Sequence, residues 1–154
     1  MIDIILFQPE IPQNTGNIGR LCAFTGARLH LIHPLGFAIN DKNLRRAGMD
    51  YWRSLDLVEY ENWNKFVESS TRPRNIFLLS THGPKSFWDA SFRQGDGLLF
   101  GNEGHGAPEY VHKWVGANRF SIPKYSPHLR SLNLAVSVGI VAYEAIRQIK
   151  NVSL

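Results

Sequence analysis

The sequence predicts an α/β fold, a mostly parallel sheet with helices on both faces, formed by a single domain over residues 1–154. Three observations carry this. Short β-like apolar runs alternate with segments of helical periodicity along the whole chain. A length of 154 residues with 44% hydrophobic content suits one domain whose core needs neither disulfides nor metal. No internal repeat, low-complexity tract or linker divides the chain.

Taken in order, residues 2–7 form the first strand and residues 17–25 the first helix. Ile18, Leu21, Cys22 and Thr25 fall at i, i+3, i+4 and i+7, giving that helix one apolar face, and Gly26 suits its stop. Arg20 lies off that face, in the first turn after the first strand, near the carboxyl edge where α/β proteins place their sites. Strands at 29–32 and 55–60 alternate with helices at 42–47 and 62–69. Strands at 76–80 and 97–100, a helix at 108–114 and a strand at 119–122 follow, and a helix at 133–150 closes the chain. Leu134, Val138, Val141, Ala145 and Ile149 make one apolar stripe of that last helix; Val136, Ile140 and Tyr143 make a second. One stripe can face the sheet and the other a second subunit.

Composition excludes several classes. Seventeen Lys and Arg against thirteen Asp and Glu give a net charge of +4, which permits a polyanionic partner without requiring one. No block of like charges forms a basic tail, so any nucleic-acid surface is assembled by folding. Cys22 is the only cysteine; it falls on an apolar helix face and reads as a buried thiol. The apolar start is broken by Asp3 and lacks a basic leader, so it is a strand and not a signal peptide. The stretch from Leu132 to Ala142 is too short and too interrupted to span a bilayer, and a cytoplasmic protein is expected.

The chemistry-bearing constellations are ambiguous one at a time. A dinucleotide fold would place a glycine-rich turn after its first strand. Here the glycines come late, in Gly101-Asn102-Glu103-Gly104-His105-Gly106, where backbone can approach a ligand or simply turn tightly into a helix. Asn14 and Arg20 could orient a phosphate or hydroxyl, or serve as a cap and a solvated side chain. Either Ser131 or Asn133 can cap the last helix. Arg45 and Arg46 read equally as a solvated face or as phosphate contacts. The histidines show no HExxH spacing, no metal site is expected, and Ser131 lacks a nucleophile elbow.

Together and in order, the blocks resemble the SpoU/TrmH branch of the SPOUT methyltransferases over nearly the whole chain. PEIPQNTGNIGRLCAFTG is similar to the first motif, LLFGNEGHGAP to the second and SIPKYSPHLRSLNLAVSVGIVAYEA to the third. GFAINDKNLRRAGMDYW further resembles the small members that methylate the wobble ribose of tRNA. One departure is His105, an imidazole where those members often carry a basic residue.

The resemblance implies a C-terminal trefoil knot, an exception to the rule against threaded chains, and a homodimer with active sites at the subunit interface. It implies S-adenosylmethionine as methyl donor, S-adenosylhomocysteine as product, and a cofactor site at Leu79, Gly101, Glu103, Ile122, Ser131 and Leu132. Asn14, Arg20 and Asn133 match positions used at the reaction centre. Arg130 and Tyr143 match positions implicated in tRNA handling, with Arg45 and Arg46 as further substrate contacts. The implied activity is 2′-O-methylation of the position-34 nucleotide, cytidine or a modified uridine, in the tRNA anticodon stem-loop. The alternatives are the same reaction elsewhere in tRNA or rRNA, or a non-catalytic RNA-binding protein. A guanidinium is a fork of donors without an acceptor, which favours Arg20 as a positioner; its assignment as general base stays open.

Overall fold

The computed structural model describes residues 1–40, 42 and 50–152. Its strands are β1 (Asp3–Phe7), β2 (Arg28–Ile32), β3 (Leu57–Tyr60), β4 (Ile76–Leu79), β5 (Lys85–Ser86), β6 (Gly97–Phe100) and β7 (Arg119–Ser121). Its helices are α1 (Pro12–Thr25), α2 (Trp63–Glu68), α3 (Glu109–Val115) and α4 (Leu134–Val152). The strands form one sheet in the order β3-β2-β1-β6-β4-β7-β5, and every pairing is parallel. The two-residue β5 is an edge strand that the sequence pattern does not reveal, and the helix expected at 42–47 lies outside the described residues.

Strand alternation sorts the core into two layers. Ile4, Leu6, Leu29, Leu31, Leu98 and Phe100 point to the side covered by α1 and α4, which contributes Ile18, Cys22, Val138, Val141 and Ala145. Ile5, Phe7, Ile32, Leu78 and Leu99 point to the opposite side, beneath Trp63, Phe66 and Val111 of α2 and α3. On that second side a polar chain crosses three strands. The imidazole of buried His30 bonds Asp3 Oδ2 at 2.8 Å and the Tyr60 hydroxyl at 2.8 Å, and Tyr60 bonds Thr71 Oγ1 at 2.9 Å. Every polar atom of His30 thereby has a partner, so burial leaves none orphaned.

The first helix begins five residues earlier than its apolar periodicity suggests, at Pro12 instead of Asn17. Proline is favoured at the first helical position, and the backbone leading into it is anchored from outside the segment, the N–H groups of Glu10 and Ile11 donating to the carboxylate of Glu103. Arg20 is consequently in the third turn of α1, not the first. The stop at Gly26 stands as expected, with its N–H donating to Cys22 O at 2.9 Å. Cys22 is fully buried, and burial pushes its thiol up to about 12, which makes it inert.

One α1 side chain is at odds with its surroundings. Thr15 is fully buried and, among the described residues, its hydroxyl has no hydrogen-bond partner. Valine has the same shape without the orphaned group, so Thr15→Val is expected to stabilise the protein by about 1 kcal/mol. Thermal unfolding would show it as a Tm rise of roughly 2–4 °C. A fall in Tm would mean that the hydroxyl is bonded in solution.

Among the described residues no helix is long and apolar enough to cross a membrane.

Candidate active site

The sheet order sets β6, β4 and β7 side by side, so the loops leaving their carboxyl ends converge. These loops are built backbone against backbone. A Cβ on Gly101 would sit 2.2 Å from Ala107 N, because the glycine-rich loop doubles back on itself through the reciprocal Asn102–Gly106 bonds of 3.3 and 3.0 Å. A Cβ on Gly83 would sit 2.2 Å from the Phe120 carbonyl carbon, so the turn after β4 rests directly on β7. Side chains at either position would force these loops apart.

A chain of hydrogen bonds joins the three sequence blocks. Glu103 accepts from the backbone N–H groups of Glu10 at 2.9 Å and Ile11 at 2.8 Å, and from Asn14 Nδ2 at 3.2 Å. Asn14 Oδ1 in turn accepts from Asn133 Nδ2 at 3.0 Å. Asn133 Oδ1 accepts from the backbone N–H groups of Ala135 at 2.9 Å and Val136 at 3.3 Å, which makes Asn133 the N-cap of α4. Each amide is oriented by its partners, so the two asparagines are fixed in one arrangement. Glu103 uses both oxygens on Asn14 and the backbone just ahead of α1; what it contributes to the glycine loop is a set position relative to that helix.

Arg20 stands apart from this chain. It is exposed on α1, about 9 Å along the helix axis from Asn14 at 1.5 Å per residue, and it shares an i, i+4 face with exposed Phe24. Beside it lies Tyr51, whose hydroxyl donates to Gly16 O. Burial pushes the Tyr51 phenol above its ordinary value, while the backbone N–H and charge of Arg20 pull the other way. Tyr51 and the adjacent Trp52, whose ring meets the Cβ position of Gly19 at 3.0 Å, were not among the predicted site residues. Their signal was the aromatic pair closing the block that carries the wobble-enzyme resemblance.

The remaining predicted residues divide by place. Leu79 is buried at the end of β4, Gly101 and Ile122 are half-buried, and Ser131 and Leu132 are exposed on the segment that leads into α4. Arg130 is exposed on the same segment, which is folded back by a bond from Lys124 Nζ to Leu129 O at 2.7 Å. Tyr143 is on α4, about 15 Å along the axis from Asn133. Arg45 and Arg46 lie outside the described residues.

A parallel sheet with glycine-bearing or open loops at one carboxyl edge, tied to two helix starts by the buried Asn14 amide and the exposed Asn133 amide, has the architecture of an α/β enzyme, a class that places its sites at that edge. The chain belongs to the SpoU rRNA Methylase family, whose profile matches residues 1–143. It is 44% identical to the tRNA (cytidine(34)-2'-O)-methyltransferase of Escherichia coli K12 over 97% of this chain and 94% of that one. It is 46% identical to the Yersinia pestis protein of the same name, with 97% and 94% covered. A solved structure described as "Structural insights into the 2-OH methylation of C/U34 on tRNA" superposes with a TM-score of 0.88 at 47% identity, covering 96% of this chain and 90% of that one. The SpoU methyltransferase AviRb from Streptomyces viridochromogenes, solved with the cofactor AdoMet, superposes at 0.76 with 25% identity, covering 95% and 57%.

Proposed function

We propose that this protein is a tRNA methyltransferase that uses S-adenosylmethionine to methylate the 2′-hydroxyl of the wobble ribose, cytidine or a modified uridine at position 34, as a cytoplasmic homodimer. The observation that carries the reading is the Glu103–Asn14–Asn133 chain. It ties the glycine loop and the α4 cap to the start of α1, in a chain whose full-length relatives bear that activity in their names.

The donor set fits the cofactor. Leu79, Ile122 and Leu132 offer apolar contacts, while Gly101 and the turns around it offer close backbone amides and carbonyls, the combination that a nucleoside with a thioether and an amino-acid tail requires. Ser131 would add a hydroxyl and Glu103 holds the loop in place. The tight packing at Gly83 and Gly101 suits loops of a trefoil knot. When bound, S-adenosylmethionine supplies a methyl group activated by its sulfonium.

The protein's own residues then have three tasks. Asn14 and Asn133 hold the loops and helix starts in one geometry, so the ribose oxygen and the methyl group meet in line. Arg20 binds the phosphate next to the target ribose and stabilises charge developing on its 2′-oxygen, the proton leaving to phosphate or water. Arg130 and Tyr143, with Arg45 and Arg46, contact the anticodon stem-loop. Because Arg20 and Tyr143 recede along exposed helix faces from their own Asn14 and Asn133, the site is completed by a second copy.

Bulk tRNA from a strain lacking position-34 ribose methylation provides the test. After incubation with the protein and S-adenosylmethionine, mass spectrometry of nuclease fragments is expected to show one added methyl on the wobble ribose. Methylation elsewhere would reassign the target; binding without transfer would make the protein an RNA binder.

A further inference from the structure

The glycine loop has a second side. Glu103 points from it toward α1, whereas Asn102 and His105 line a notch of about 240 Å³ with Phe7, Gln8 and Tyr110, on the α2–α3 layer of the sheet. Nothing in the proposed chemistry uses these residues. We propose that this notch receives one unpaired base of the anticodon loop next to the methylated nucleotide, stacked on Tyr110 and read by the Gln8 and Asn102 amides. The inference rests on the tRNA reading above and names a recognition site within it.

Three features identify the occupant. First, Tyr110 is a platform. The residue is 51% exposed, yet its ring is held by Phe7 at 6.3 Å and 71° and by Trp63 at 6.3 Å and 58°, with Trp114 packed edge-on behind Trp63 at 5.3 Å. A fixed aromatic ring with a free face is what single-stranded RNA bases stack on.

Second, among the described residues none that lines the notch is a lysine, arginine, aspartate or glutamate. A phosphate or a charged amino-acid tail would find no permanently charged partner there, only the His105 imidazole, whereas a neutral planar ring would find an aromatic face and amides. Among the described residues, the Gln8 side chain has no hydrogen-bond partner, and Asn102 commits only its oxygen, to the His105 N–H at 2.7 Å. The free amide groups offer the donors and acceptors that base edges pair with.

Third, Gln8 is the only non-glycine residue among those described with a positive φ, +48°. Its N–H continues the β1–β2 ladder by donating to Ile32 O at 2.9 Å, after which the chain turns into Pro9. Glycine or asparagine would meet that turn with less strain, so the backbone does not explain a glutamine there. A side chain required in the notch does.

The test uses anticodon stem-loop RNAs in which one loop nucleotide at a time is made abasic, with Kd read by fluorescence anisotropy. For the wild type, one flanking position is expected to weaken binding about tenfold when its base is removed. Tyr110→Ala should show that loss with intact RNA and no further loss with the abasic one, while Tyr110→Phe keeps wild-type behaviour. Gln8→Gly should leave Tm equal or higher and yet relax the preference among bases at that position, a divergence that a purely structural glutamine would not produce. S-adenosylmethionine affinity by calorimetry should be unchanged in all three. The proposal is overturned if no abasic position matters, if Tyr110→Ala binds RNA as tightly as the wild type, or if cofactor affinity falls instead. A wild type that methylates no tRNA would refute the underlying function; a wild type that methylates normally while the notch variants match it would refute the notch alone.

Discussion

Arg20→Lys is expected to lower kcat by about two orders of magnitude while leaving Tm and S-adenosylmethionine affinity close to wild type. Arg20 is exposed on α1 and packs under no core residue, so the exchange costs little stability. The charge survives the exchange; the planar fork does not. A guanidinium can grip two phosphate oxygens and still face the ribose, whereas an ammonium is a point charge on a longer-ranging stem. Its surroundings support a fixed geometry, since the neighbouring turn of α1 is held by the Tyr51 hydroxyl on Gly16 O and by Trp52 beneath Gly19. Loss of one donor aimed at developing charge costs about 10²–10³ in rate, and a displacement of about 1 Å can cost as much. Single-turnover methyl transfer with saturating tRNA isolates the chemical step. Turnover near wild type would sink the positioning role, and an equally large drop in RNA affinity would make Arg20 a binding residue instead.

The layers of the fold were legible because they depend on local pattern. The strands from β1 to β7, except β5, follow short apolar runs, and the inner stripe of α4 follows its spacing at the centre: Val138, Val141 and Ala145 are buried, Leu134 and Ile149 half-buried at its ends, and Ala142 is buried beside it. The start of α1 was not legible, because the carboxylate that anchors the backbone leading into it, at Glu10 and Ile11, comes from Glu103, more than ninety residues on. Periodicity located the apolar face and missed the polar turn before it, which moved Arg20 from the third turn to the first. The candidate residues Asn14, Glu103 and Asn133 were recognisable by motif, yet their mutual hydrogen bonds span sequence separations of 89 and 119 and needed the folded sheet edge. Gln8 and Tyr110 carried no signal at all. A left-handed φ and a half-free ring are properties of the fold and leave no mark in spacing or composition.

Ile140→Glu is expected to turn the protein into a folded monomer with little methyltransferase activity. Val136, Ile140 and Tyr143 are 50%, 39% and 48% exposed along one face of α4, and Phe24 on the neighbouring α1 is 81% exposed. Four large apolar side chains left open on adjacent packed helices form a patch that water disfavours and that a two-fold partner can cover. A carboxylate in the middle of that patch would be buried without a counter-charge in a dimer, at a cost of several kcal/mol, and solvated in a monomer. The core loses nothing, because the buried face of α4 is the opposite one. Light scattering after size exclusion is expected to report the monomer mass, with Tm lowered only by the loss of subunit contacts. The same geometry links assembly to chemistry: Phe24 is one turn beyond Arg20 on the same face of α1, so whatever covers Phe24 brings Arg20 to the second subunit. Residual activity should then rise with protein concentration in step with the dimer fraction. A fully active monomer would place the complete site within one chain, and an unchanged dimer would move the interface to another face.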